Sequence, residues 1–287
     1  MALTGYGRID VTEPAAVYAA LLTMPQVHAV GAESATTLVG HVAPFTPLQS
    51  ITRADDIRRA FNAEGLEEFT GPGGTAYLLV FPQAPLMRFA NPTTRRGPDR
   101  PSFPSGFLRL EHDIAPVWWL ELTRVPIGSV VWRLTVDGGQ PFGDAAYRGL
   151  ARGWEGSRGY LPPTGLFGPR ARWRGGEFIA AFTADGVEIL SPTQHPGTQE
   201  VRPGVWQAVV PRGEVDEIFE LELAARWHDQ AVRVLDSNGG RVRLLLPDPD
   251  AAAAAALGAS EVSPGVWQVI TDRSSLSNVT GVELQVS

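Results

Sequence analysis

Three arginines and an indole crowd into six residues, Pro-Arg-Ala-Arg-Trp-Arg at 169–174. Guanidiniums fork onto carboxylates or phosphates and stack on aromatic faces, so Arg170, Arg172 and Arg174 are the first candidates for gripping an acidic partner. A second basic stretch, NPTTRRGPDRPSFPSG at 91–106, adds Arg95 and Arg96 in a loop of polyproline character. Side chains on a strand alternate between faces, so if 169–174 is a strand, Trp173 points to a core while the arginines share the opposite, solvated face.

Other reactive side chains do not converge. His28, His41, His112, His195 and His228 have no partner four positions away, so no metal site is expected. Glu111, His112 and Asp113 are adjacent, and neighbours on a strand diverge. Asp248 and Asp250 are too few oxygens for a calcium loop; Asp250 instead reads as the N-cap of a helix in DPDAAAAAALG that Gly258 ends in the left-handed region. The chain has no cysteine, which excludes disulfides, thiolate nucleophiles and cysteine-ligated zinc. It has no G-x-S-x-G motif, P-loop or dinucleotide-binding glycine fingerprint.

The elements that must position these groups repeat. PGVWQAVVPRGEVDEIF at 203–219 matches PGVWQVITDRSSLSNVT at 264–280 without a gap. Trp206 and Trp267 are each followed at six by Arg212 and Arg273, at nine by Val215 and Leu276, and at twelve by Ile218 and Val279. Trp118, Arg124, Ile127 and Val130 fit the same spacing, and the three indoles are expected at equivalent core posts. Upstream of two copies lie hairpins, at 171–192 and 225–249, with Asp185-Gly186 and Asn238-Gly239 as turn residues. The counterpart of the first copy is 75–92, with a proline at the turn.

This hairpin, loop, Val-Trp strand, arginine turn and closing strand resembles the SH3-like small barrel, and is similar to tandem repeats in actinobacterial hypothetical proteins near toxin and immunity genes. The fold expected is mainly β, α+β over the whole chain, with three such repeats and a small N-terminal cap. The divisions are a cap at 1–68, a first repeat at 69–135, a helical and Gly/Pro-rich connector at 136–168, a second repeat at 169–224 and a third at 225–287. In the cap, AAVYAALL reads as a helix capped by Thr12, TTLVGHVA as a strand, and residues 52–61 as a helix closed near Gly65. A short helix is expected from Asp144. What the resemblance implies is a non-catalytic protein-binding protein, an immunity or antitoxin-type partner of a bacterial toxin, whose loops diverge on a constant scaffold.

An enzymatic alternative rests on a second resemblance. Ala-Tyr-Arg-Gly at 146–149 resembles the first-strand arginine of ADP-ribosyltransferases, and Glu220-Leu-Glu222 resembles their Glu-x-Glu loop. That likeness implies NAD as cofactor, with Arg148, Glu220 and Glu222 catalytic. The family's Ser-Thr-Ser strand is missing, and FELEL at 219–223 also corresponds to the closing strand GVELQV at 281–286, which makes the glutamates outward residues of a repeat. The first reading therefore takes no catalytic residue, no metal and no cofactor.

A net charge of −7 repels phosphate backbones and argues against nucleic acid as partner, leaving only salt-sensitive binding around residues 170–174 to consider. With no run of 18 apolar residues, the expectation is no membrane partner and a cytoplasmic location. The oligomeric state is left open.

Overall fold

The computed structural model describes residues 16–33, 37–83, 89–90, 118–183, 186–246, 251–263 and 266–285. The Thr12 cap, Arg95, Arg96, the 111–113 triplet, Asp185, Asp248, Asp250 and the side chain of Trp118 lie outside them. The chain is mainly β, as expected, and its sheets are antiparallel; neither closes into a barrel among the described residues. It divides into two compact units, 1–96 with 102–161 and 97–101 with 162–287.

The first unit is one eight-stranded sheet. Its strands are β1 (Val17–Leu22), β2 (Thr37–Pro44), β3 (Ala76–Pro82), β4 (Phe89–Ala90), β5 (Trp118–Arg124), β6 (Val130–Leu134), β7 (Phe142–Tyr147) and β8 (Trp154–Glu155), ordered β4-β5-β2-β1-β3-β6-β7-β8. Alternation sends Ala19, Leu21, Leu78 and Val80 to one face, where α2 (Ala54–Ala60) adds Ile57 and Ala60. Ala20, Leu22, Leu79 and Phe81 go to the other face, where α1 (Met24–Glu33) adds Val30. The α2 helix carries Asp55 and Asp56 in its first turn and Arg58 and Arg59 in its last, which complements its dipole.

Two expected helices are strands. AAVYAALL carries the pattern of a helix, but Val17–Leu22 pairs with β2 and, over six residues, with β3. Ala and Leu on both faces erase the alternation that marks a half-exposed strand, leaving only helical propensity to read. Asp144, expected to begin a helix, lies within β7, because pairing with β6 overrides the local preference of GDAAYR. The ladder also crosses the division placed at residue 68, since β1 and β3 are neighbours. The 75–92 segment differs from the later hairpins: β3 pairs with β1 and β6, and β4 pairs with β5.

The second unit is an eleven-stranded sheet. Its first six strands are β9 (Gly168–Trp173), β10 (Gly176–Phe182), β11 (Val187–Ser191), β12 (Gln199–Arg202), β13 (Val205–Val210) and β14 (Glu217–Trp227). Then come β15 (Gln230–Asn238), β16 (Arg241–Leu246), β17 (Ser260–Ser263), β18 (Val266–Asp272) and β19 (Ser277–Gln285), with α3 (Ala251–Ala256) before β17. The order is β12-β13-β11-β10-β9-β14-β15-β16-β18-β17, with β19 on β14.

Two modules repeat here strand for strand. Arg174-Gly175 and His228-Asp229 are two-residue turns with positive φ at both positions, the geometry that suits a twisted hairpin. β12 and β17 each pair with the following strand across a bulge, and Arg212–Glu214 and Arg273–Ser275 each form a 3-10 turn before the closing strand. Ala171, Trp173, Phe178, Ala180, Ile189 and Ala208 build one core. Ala225, Trp227, Val232, Val234, Leu244 and Val269 build the other. The last strand of the first module runs straight on as the first strand of the next, both within β14.

The expected posts need correction. Trp206 and Trp267 are equivalent, each paired with a glutamate of a bulged edge strand, Glu200 and Glu261, but they are only half-buried. The buried indoles of these two modules are Trp173 and Trp227, at 2% and 3% exposure. Val215, Leu276 and Ile218 pack against the cores, whereas Val279 is exposed. Arg124 is buried and followed by a turn with Gly128 at φ 90°, unlike exposed Arg212 and Arg273.

Candidate functional site

The arginine run forms β9 and its turn, and the structure gives the three guanidiniums different fates. Arg170 donates from Nη2 to the Gly165 carbonyl, and burial lowers its pKa against the opposing pull of Glu177. Arg172 lies 4.4 Å over the Phe219 ring. It pairs with Glu217, with Glu283 at 2.9 Å and with Glu177 at 3.6 Å. Hydrogen bonds to Glu217 and Glu283 raise its pKa. These carboxylates come from β10, β14 and β19, so Arg172 fastens four strands of its own sheet. The expected clamp on an acidic partner is occupied from within the chain.

Arg174 is set at a groove. It lies in the left-handed turn with φ 51° and stacks 4.5 Å over Trp173. Its Nη1 donates to the Pro196 carbonyl at 3.4 Å. Trp173, Arg174, Gly197, Thr198, Gln207, Val209 and Glu214 are among the residues lining this groove of about 590 Å³. The 195–198 turn is tied by the Thr198 amide and hydroxyl, which both donate to the His195 carbonyl, at 2.9 and 2.7 Å. The His195 ring packs 4.8 Å from Phe178 and 5.7 Å from Trp173. A Cβ on Gly197 would come within 2.8 Å of the Trp173 ring, so glycine lets this turn close over the indole.

Beside the groove lies a pair that strand alternation hides in the sequence. Glu188 on β11 is 1% exposed and accepts a 2.7 Å hydrogen bond from Gln207 Nε2 on β13. Glu188 opposes Val209 and Gln207 opposes Leu190, so the two side chains meet diagonally on the face away from the Trp173 core. The only signal was an acidic residue inside the apolar run VEILS, which reads more simply as a solvated position.

Val209 and Ile270 occupy equivalent positions on β13 and β18, and they are 55% and 54% exposed. Each module thus presents an aliphatic side chain one residue from its core. The segments ahead of the bulged strands β12 and β17 differ: a loop at 192–198 in the first module, and α3, with Ala254 in the Trp227 core, in the second.

The alternative catalytic set is divided. Arg148 follows β7 in the first unit, 2.5 Å from Glu155. Glu220 is buried in β14 opposite Pro169 and Leu284, and Glu222 pairs with Arg233 at 3.5 Å. Among the described residues no three His, Asp or Glu side chains gather as metal ligands, and no helix is long and apolar enough to cross a membrane.

Comparison with protein-family models, curated proteins and solved structures found no match.

Proposed function

We propose that the chain is a non-catalytic protein-binding protein whose second unit presents two SH3-like small-barrel modules, each left open between its Val-Trp strand and its closing strand. The observation that carries this reading is a constant pair of cores beneath a varied surface. Trp173 and Trp227 fill corresponding posts, while the segments ahead of β12 and β17 differ, the 192–198 loop reaching the groove at Val209 and α3 packing its Ala254 on the Trp227 core. Aliphatic side chains rimmed by polar groups such as Arg174, Gln207 and Glu214 suit a protein surface, where a desolvated centre and a hydrogen-bonding rim act together. An immunity-type role, with the partner a bacterial toxin occluded by these faces, is the specific form we favour.

The test is co-expression of the intact chain with each of a panel of bacterial toxins. Growth rescued by the wild-type chain, and lost with Val209→Asp plus Ile270→Asp at unchanged circular dichroism, is the expected result. Rescue that survives both aspartates would remove these faces from the interface.

A further inference from the structure

Five strands border the two sheets among the described residues, and four carry devices that discourage pairing with another chain. β4 and β8 are two residues long. β12 and β17 are four residues long, bulged, and charged at Glu200, Arg202 and Glu261. Short length, bulges and charge are how sheet edges are kept from adding strands. β19 is nine residues long and reads SNVTGVELQ, with one ionisable side chain, Glu283. Ser277 to Glu283 are all exposed, with Val279 at 51% and Val282 at 38%.

The module repeat shows what covers such an edge. In the first module the closing segment of β14 has β9 on one side and β19 on the other, so Phe219 stands opposite both Arg170 and Gln285. In the second module the closing strand is β19 itself. It has β14 on one side, and no described strand pairs with the other. The segment that fits this kind of edge within the chain is therefore β19.

We propose that the outer edge of β19 pairs antiparallel with β19 of a second copy of this chain, joining two eleven-stranded sheets across a two-fold axis. Such a contact is self-complementary and closes at two copies, because each β19 covers the other's edge. A register centred on Gly281 sets Thr280 against the second copy's Val282 and Glu283 against its Val279. The carboxylates then never face each other, and Arg172 already holds Glu283 at 2.9 Å. This inference is independent of the reading of Val209 and Ile270 as a binding face.

Sedimentation equilibrium of the intact chain, from low to high micromolar concentration, tests it together with hydrogen exchange. The expected result is a reversible dimer, with the amides of residues 280–283 that point away from β14 gaining protection only as concentration rises. Val279→Glu, which sets a carboxylate directly against the second copy's Glu283, should weaken dimerisation about tenfold or more while leaving circular dichroism unchanged. Val209→Glu, at an equally exposed valine on β13, should leave it intact. A chain that stays monomeric throughout, or a Val279→Glu variant that dimerises like the wild type, overturns the proposal. So does protection of 280–283 that appears only when another protein is added, which would assign the edge to a foreign strand.

Discussion

Replacing Gln207 by leucine removes the 2.7 Å donor from a carboxylate that is 1% exposed, while preserving roughly the side-chain volume. Loss of one partner of a buried polar pair costs about 1–3 kcal/mol, because Glu188 keeps its desolvation penalty while losing the Gln207 donor. For a cooperative unit of about 150 residues that is a fall of about 2–12 °C in melting temperature. Glu188→Leu should also destabilise, since it leaves the Gln207 amide, 9% exposed, without this acceptor. The double variant should cost less than the sum of the two single variants, since each single change removes the same hydrogen bond. Urea melts of the intact chain followed by tryptophan fluorescence give all four corners of the cycle. Single variants within about 0.5 kcal/mol of wild type, or effects that simply add, would refute the assignment of this pair as a coupled buried unit.

Gly197→Ala should destabilise by about 1–3 kcal/mol, because φ is 93° and the new Cβ meets the buried Trp173 ring; a denaturant melt matching wild type would contradict this. Arg172→Ala should lower the melting temperature and weaken its salt dependence, since three strands lose their shared cation; an unchanged melt in low and high salt would show the network to be idle. Burial raises the Asp144 pKa above its ordinary value, with Arg133 at 3.4 Å opposing, so its contribution to stability is present in acid and is lost as pH rises through the raised value. Asp144→Asn should therefore gain on the wild type in going from acid to neutral pH, and thermal melts showing the reverse trend would exclude burial as the dominant effect.

The second unit was legible because its modules expose one side of their strands and repeat their turns. The Trp-to-Arg spacing marked the 3-10 turns, Asn238-Gly239 marked a hairpin, and the alanine run with Gly258 marked α3. The first unit was opaque for the opposite reason. With α1 and α2 packed on opposite faces, β1 and β3 are apolar on both, and nothing in VYAALL separates strand from helix. The third copy of the spacing was misleading: Arg124 matches Arg212 and Arg273 in sequence distance, yet is buried where they are exposed. At the site, alternation placed Trp173 in a core as the structure does. The partners of Arg172 are beyond local reading, because Glu217 and Glu283 reach it only through strands 45 and 111 residues away. The Glu188–Gln207 pair is hidden similarly, since its diagonal contact depends on the register between β11 and β13.

β14 has a mechanical consequence. Eleven continuous residues serve both modules, so a hydrogen-bonded ladder joins them in place of a tether. A ligand that reaches Val209 and Ile270 at once meets two anchor points at a preset distance and angle, and no swivelling must be frozen out for the second to engage. Cutting or loosening that strand would unravel both neighbours together, so the pair should behave toward proteases and pulling forces as one body.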